Sequence, residues 1–181
     1  MSSNAVKNGV NFVWFQAIWF LAIFFQYEWF WLIIMLLFGF FIVVGQRLLE
    51  LKVMVSVAVT GVIVDSALTG AGVFIFDDQV RAVWIPWWLV TLWLGFAGTL
   101  RHSLRYLGER PWLCVAAGGI SGPLSYLAGE RLGAVSFGYP LTVTLVILSA
   151  VWAALLPLSF YLMKRAEQAP LVTCSESASN D

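Results

Sequence analysis

The stretch that decides the fold is residues 53–76, VMVSVAVTGVIVDSALTGAGVFIF. Almost all of it is apolar, and about 20 such residues are enough for a helix to cross the hydrocarbon core of a bilayer. Asp65 lies near the middle of this stretch. An ionisable side chain at the bilayer centre costs about 2.5–3.5 kcal/mol on insertion scales and marks a functional site by default. Asp65 is therefore the first residue to explain.

The composition of the whole chain agrees with a membrane protein. Of 181 residues, 61% are hydrophobic and 11% are charged, whereas soluble domains are about 25% charged. The 10 Trp and 14 Phe present more apolar surface than one water-soluble core can bury. The formal net charge is zero, so no global field favours nucleic acid as a partner. Cys114 lies in an apolar run and Cys174 in a polar tail, so neither a disulfide nor a metal site is expected. The sequence has no Walker loop and no haem-type ligand pair, so no cofactor is predicted.

We predict an all-α integral membrane protein, a bundle of six transmembrane helices. The spans are placed near residues 9–26, 29–45, 53–76, 84–101, 112–130 and 139–163. Pro111 and Pro140 each precede a span, where the missing N–H of proline is harmless. The six-span domain covers residues 1–165. Residues 166–181 are rich in Ser, Glu, Asn and Asp and are predicted to be a disordered cytoplasmic tail.

Loop charges predict the orientation of the spans. On the side of the N-terminus we count eight basic residues, Lys7, Arg47, Lys52, Arg101, Arg105, Arg110, Lys164 and Arg165. The other side has two, Arg81 and Arg131. Positive charge is enriched in cytoplasmic loops, so both termini are predicted to be cytoplasmic.

Asp65 is predicted to face the interior of the bundle. Its neighbours at helical spacing are mostly small, among them Ala58, Gly61, Thr69 and Gly72, and small residues let membrane helices approach closely. Two interpretations stay open. Asp65 is either a structural carboxyl that ties helices together or a site for a proton, a cation or a substrate.

Depth restricts the partners of Asp65. At 1.5 Å per residue Asp65 lies roughly 18 Å from the inner end of its span, so contact with His102 at the inner edge is not expected. We predict a hydrogen bond from Asp65 to at least one group at similar depth, namely Gln16, Thr91, Ser121, Ser149, Trp88 or Tyr126.

The end of the fourth span suggests a place for a phosphate. Arg101, His102 and Arg105 lie together at the predicted inner interface, and guanidinium groups bind phosphate well. The same residues could instead set the topology and contact lipid headgroups, and His102 could act as an acid or base near neutral pH.

The fourth and fifth spans carry faces of small residues. Gly95 and Gly98 in the fourth span, and Gly118 and Gly122 in the fifth, predict close helix contacts. Pro123 is predicted to kink the fifth span, on a face that also carries Gly119, Tyr126 and Glu130. That face either packs against a helix or lines a cavity. No internal repeat is evident, because no residue in the second half of the chain corresponds to Asp65.

Several residues together resemble a known family. They are Trp14-Phe15-Gln16, Asp65, the stretch from Trp84 to His102-Ser103-Leu104, Gly122-Pro123-Leu124-Ser125-Tyr126, Gly129 and Gly133. Their order and spacing resemble a bacterial family of small polytopic inner-membrane proteins of unknown function (domain of unknown function 2878), over roughly residues 10–163. The resemblance implies a bacterial cytoplasmic membrane. It implies no settled activity and supplies no catalytic residues.

Three hypotheses for the function follow. The first is an accessory or binding protein for membrane lipid or another apolar small molecule, with ligand contacts from Asp65, Thr91, Ser121, Tyr126, Arg101, His102 and Arg105. The second is a proton- or cation-coupled carrier or channel that uses Asp65 and forms a homodimer, since one six-helix bundle encloses little volume. The third is a membrane-embedded lipid-modifying enzyme, with Asp65 or His102 as acid or base and Tyr126 as a second catalytic candidate.

Overall fold

The computed structural model describes residues 3–77, 81–82 and 85–169. The described chain is helical, with six α-helices: α1 (Ser3–Phe24), α2 (Phe30–Val43), α3 (Arg47–Gly70), α4 (Trp87–Ala97), α5 (Pro111–Arg131) and α6 (Leu141–Gln168). A 3-10 helix spans Arg105–Glu109, and four short strands are present: β1 (Phe74–Ile75), β2 (Arg81–Ala82), β3 (Ile85–Pro86) and β4 (Ser136–Phe137). The predicted all-α class and the number of helices are confirmed.

Two helices among the described residues are long and apolar enough to cross a membrane. α3 has 24 residues with a mean hydropathy of 1.8, and α6 has 28 residues with a mean hydropathy of 2.3. α2 and α4 are apolar but have only 14 and 11 residues. At 1.5 Å per residue they extend about 21 Å and about 16 Å, which is less than the hydrocarbon core of about 30 Å.

The helix bounds differ from the predicted spans in three places. α3 begins and ends six residues before the predicted span 53–76. α4 ends at Ala97, and turns follow where the fourth span was predicted to continue to residue 101. α6 continues to Gln168, so the first residues of the predicted tail are helical. Trp84 and residues 170–181 lie outside the described residues.

α3 and α5 end in the same way. Each is followed by a glycine with a positive φ, Gly72 at 75° and Gly133 at 76°. Both ends carry the two hydrogen bonds of a Schellman motif, which satisfies the last helical carbonyls: Val73 N to Leu68 O (2.9 Å), Gly72 N to Thr69 O (3.0 Å), Ala134 N to Gly129 O (2.9 Å) and Gly133 N to Glu130 O (3.0 Å). Glycine is needed there because a left-handed conformation strains other residues.

The strands after these two helices pair with each other. β1 and β4 are antiparallel, with Phe74 opposite Phe137 and Ile75 opposite Ser136. The C-terminal ends of α3 and α5 therefore lie at the same end of the bundle, which we call the strand end. The opposite end, where Arg101 follows α4, is called the Arg101 end.

Helix packing follows the small-residue faces. α5 packs along α6, α3 packs on both α4 and α6, and α1 packs on α4 and α2. At Gly118 a Cβ would overlap the Trp152 carbonyl of α6. At Gly98 a Cβ would lie 3.0 Å from the Trp14 ring of α1. The predicted close contacts of the fourth and fifth spans are thus confirmed, with α1 and α6 as the partners.

Candidate functional site

Asp65 lies at the point where three helices meet. Its side chain is 1% exposed. Oδ2 accepts a hydrogen bond from Trp93 Nε1 of α4 at 2.7 Å and one from the Tyr126 hydroxyl of α5 at 2.6 Å. The Asp65 carboxylate therefore links α3, α4 and α5 through one oxygen atom.

The position of Asp65 along its helix differs from the prediction. The sequence put about a dozen apolar residues on each side of Asp65, but α3 ends at Gly70. Asp65 is thus only about 7.5 Å from the strand end of α3 and about 27 Å from its beginning at Arg47. Hydropathy does not detect this end, because the residues after Gly70 are also apolar.

Two stacked indoles lie beside Asp65. The rings of Trp93 and Trp152 are parallel within 7°, with centroids 5.2 Å apart. A Cβ at Gly61 would overlap the Trp93 ring, and a Cβ at Gly122 would overlap the Trp152 ring. The stacked pair therefore occupies space that two glycines, one on α3 and one on α5, leave open. Stacked aromatic pairs contribute about 0.5–1.5 kcal/mol beyond their buried area.

Tyr126 is held by a second stack. Its ring lies parallel to that of Phe74 in β1, with a centroid distance of 4.7 Å and an angle of 7°. Because β1 pairs with β4, the strand end fixes the hydroxyl of Tyr126 toward Asp65.

Of the predicted partners of Asp65, Tyr126 makes the hydrogen bond. Thr91 and Ser121 bond locally instead, to Trp88 O at 2.7 Å and to Ala117 O at 2.7 Å. Trp93 was missed, because the face traced along the fourth span ran through Thr91 and Gly95. Gly61 could have indicated Trp93, because this glycine lies one helical turn before Asp65 and leaves room for a large ring.

A cavity of about 480 Å³ lies between α1, α4 and α5. Its wall is mainly aromatic and aliphatic: Phe12, Phe15, Trp19, Phe20, Ile23, Phe76, Trp88, Leu89, Leu92, Trp93, Phe96, Leu104, Leu124, Tyr126, Val135 and Trp152. Gln16, Thr99, Ser103, Ser121 and Ser125 add polar groups, and Gly122 and Gly129 complete the lining. Of the predicted ligand-binding residues, Ser121 and Tyr126 are in this wall. Asp65 lies behind it, hydrogen-bonded to the wall residues Trp93 and Tyr126.

One hydrogen bond joins the two helices that flank the cavity. Trp19 Nε1 of α1 donates to Ser125 Oγ of α5 at 2.9 Å. α1 and α5 thus contact each other through polar side chains in the wall of an otherwise apolar space.

A separate ionic cluster lies at the Arg101 end. Arg101 donates from Nη1 to Glu50 Oε1 at 2.6 Å, from Nε to Glu167 Oε1 at 3.0 Å and from Nη2 to Gln46 Oε1 at 2.7 Å. His102 Nε2 lies 3.0 Å from the same Glu50 oxygen. Glu50 is 2% exposed, and its Oε2 is buried without a partner among the described residues. This cluster ties the start of α3 to the end of α6.

The cluster separates the predicted phosphate ligands. Arg101 and His102 are engaged by Glu50, whereas Arg105 is exposed and pairs with no acidic group in the described part of the chain. Glu50 was not singled out by the sequence, since its partner Arg101 is 51 residues away and no local pattern signals the pair.

Metal ligands are not grouped in the described residues. No set of three or more His, Cys, Asp or Glu side chains could hold a metal ion there. Cys114 is a buried free thiol, and Cys174 lies outside the described residues.

The described residues thus form an all-helical protein with two helices that could span a membrane. Residues 8–158 match the family described as "Protein of unknown function (DUF2878)". The chain belongs to this family, which confirms the resemblance drawn from the sequence. No curated protein and no solved structure matches the chain.

Proposed function

We propose that all six helices lie across a bacterial inner membrane, the short α2 and α4 together with the apolar residues that flank them, and that the cavity between α1, α4 and α5 binds the apolar chain of a membrane lipid. The surface of the helices supports the membrane proposal. Large apolar side chains are exposed along the bundle, with Phe38 at 70%, Ile42 at 76% and Val43 at 86%. Contiguous apolar surface of this kind is rare on soluble monomers. The basic residues of the predicted inner loops support cytoplasmic termini.

The cavity itself carries the binding proposal. Its volume of about 480 Å³ falls in the range of about 300–1,000 Å³ that is usual for small-molecule sites. Its wall is apolar along most of its length, so it suits hydrocarbon better than a polar solute.

The length of the cavity suits one hydrocarbon chain. Along α1 its wall runs from Phe12 to Ile23, which is about 16 Å at 1.5 Å per residue. The wall reaches from Thr99 and Ser103 at the Arg101 end to Ile23 at the strand end, so a single acyl or isoprenoid chain can lie along α1 between the two ends.

The experiment is native mass spectrometry of the protein purified in mild detergent, with and without added phospholipid. Ser121→Trp places an indole in the cavity wall and is expected to abolish the bound lipid. Val146→Trp adds the same side chain at an exposed position of α6 and serves as the matched control. Lipid that stays bound to Ser121→Trp, while circular dichroism shows a normal helix content, would overturn the proposal.

A second candidate function is a proton- or cation-coupled carrier that uses Asp65. Its support is the burial of Asp65 and its bonds to two other helices, since such intramembrane carboxyl groups often mark ion pathways. In proteoliposomes that contain a pH-sensitive dye, Asp65→Asn should abolish a flux that the unchanged protein supports. The same native mass spectra would reveal the homodimer that this candidate predicts.

A catalytic role of Asp65, His102 or Tyr126 has less support. Trp93 and Tyr126 stand between Asp65 and the cavity, and His102 belongs to the other cluster. An acid–base pair would need both groups within reach of one substrate atom.

A further inference from the structure

The two ends of the cavity differ in polarity. At the strand end the wall consists of Ile23, Phe76 and Val135, which are apolar. At the Arg101 end it includes Thr99 and Ser103, which bear hydroxyl groups. An amphiphilic ligand would therefore bind with its polar end toward the Arg101 end.

The polar end of the cavity is fixed by Asn11 of α1. Asn11 Nδ2 donates to Gly98 O at 3.1 Å, and Asn11 Oδ1 accepts from Ser103 Oγ at 2.7 Å and from Ser103 N at 3.3 Å. These bonds hold the beginning of α1 against the turns that follow α4, so residues near Asn11 and Ser103 are neighbours.

Two exposed cations lie close in sequence to residues at this end of the cavity. Lys7 lies one helical turn before Asn11, on the same face of α1. Arg105 follows the wall residues Ser103 and Leu104 and begins the 3-10 helix. Neither Lys7 nor Arg105 forms an ion pair with an acidic group in the described ranges, whereas the nearby Arg101 forms ion pairs with Glu50 and Glu167.

We propose that the bound lipid is an anionic phospholipid of the cytoplasmic leaflet, whose headgroup phosphate is held by Lys7 and Arg105. This inference rests on the proposed binding of an apolar chain and adds the class and the orientation of the ligand. The headgroup lies at the Arg101 end, and one chain extends along α1 toward the strand end. Arg101 and His102 keep the turns in place through Glu50 and do not contact the phosphate.

The test measures binding of defined lipids by native mass spectrometry, with phosphatidylglycerol, phosphatidylcholine, diacylglycerol and inorganic phosphate as separate probes. The double variant Lys7→Gln with Arg105→Gln is expected to weaken phosphatidylglycerol binding about thirtyfold, because each basic residue near a membrane surface attracts anionic lipid by roughly fivefold. Diacylglycerol, which has the chains but no phosphate, should bind the variant as it binds the unchanged protein.

Lys52→Gln with Arg110→Gln is the matched control. It removes the same number of charges from exposed positions whose chain neighbours do not line the cavity, and it should change phosphatidylglycerol binding less than twofold.

The outcomes separate this inference from the proposed function. If diacylglycerol and phosphatidylglycerol both bind, and Lys7→Gln with Arg105→Gln has no larger effect than the control pair, the headgroup site is wrong while the chain site stands. Saturable binding of inorganic phosphate at Lys7 and Arg105 with no bound lipid would reject the phospholipid. If neither lipid binds the unchanged protein, the proposed function itself fails.

Discussion

Two helix pairs of this protein, α3 with α4 and α5 with α6, carry matching features and pack differently. In each pair a glycine of the first helix faces an indole of the second: Gly61 faces Trp93, and Gly122 faces Trp152. Eleven residues after that glycine, each first helix ends at a positive-φ glycine with the same capping bonds. The strands that follow pair with each other, and the two indoles stack.

Asp65 and Tyr126 hold matching positions in this comparison. Each lies four residues after the glycine that faces an indole, and the two are 61 residues apart. Their hydrogen bond therefore joins equivalent places on α3 and α5. The correspondence is one of position along α3 and α5: both glycines recur at the same spacing, whereas Asp65 is matched by Tyr126.

The difference between the pairs is in their mutual packing. α3 packs directly on α6, but α4 and α5 form no contact of similar extent in the described structure. The cavity lies on that side, and α1 closes it. Two helix pairs with matching features thus leave an opening between α4 and α5, where the counterpart of the contact between α3 and α6 is missing.

The largest effect is expected from filling the two glycines. Gly61→Leu and Gly122→Leu should each destabilise the protein by about 3 kcal/mol or more, because the added side chain overlaps a packed indole ring. Size-exclusion profiles and thermal unfolding followed by circular dichroism would measure this. Gly39→Leu, at a site with open space, is the control. A normal profile for only one of the two variants would break the equivalence of the pairs.

The ionic cluster has no counterpart at the start of the second pair, since Pro111 stands where the second pair would match Glu50. Arg101→Met should cost about 3 kcal/mol, because it leaves the buried Glu50 carboxylate without its guanidinium. Arg110→Met, beside the matching position, should cost little. Addition of Glu50→Gln to Arg101→Met should restore part of the unfolding free energy, and a failure to do so would show that the charge of Glu50 is not the cause.

Asp65→Leu is expected to cost about 2 kcal/mol, because two buried donors, Trp93 Nε1 and the Tyr126 hydroxyl, lose their acceptor. Asp65→Asn keeps an oxygen that can accept both bonds and should retain most of the stability. Chemical unfolding in detergent would measure both. Equal losses for the two variants would argue that charge, not hydrogen bonding, joins α3 to α5.

The smallest effect distinguishes the two indoles. Trp93→Phe replaces the indole by a smaller ring and removes a donor to Asp65, whereas Trp152→Phe makes only the first change, since Trp152 Nε1 has no hydrogen bond within the described residues. Trp93→Phe should therefore be less stable than Trp152→Phe by about 1 kcal/mol. If Trp152→Phe is the less stable, the bond to Asp65 contributes less than the packing of α6.

The sequence predicted the number of helices and the inward position of Asp65, since apolar runs and small neighbours carry those signals. It also identified Tyr126, on the glycine-rich face of α5, as a possible partner of Asp65. It did not identify Trp93, because α4 is buried on several sides and its periodicity singles out no face. The short length of α4 was also missed, because Gly98 and Leu100 continue the apolar pattern through a turn.

The ionic cluster was beyond sequence reasoning for a different reason. Glu50 and Arg101 each looked like a residue at the edge of a span. Only the three-dimensional approach of the beginning of α3 to the turns after α4 brings them together.

The parallel stack of Trp93 and Trp152 has an optical consequence. Two indoles at 5.2 Å couple their electronic transitions, and coupled transitions produce paired bands of opposite sign in circular dichroism. The signal depends on the distance and angle between the rings, one from each helix pair. A difference spectrum between the unchanged protein and Trp152→Phe would thus isolate a built-in reporter of how the two pairs are oriented, without any added label.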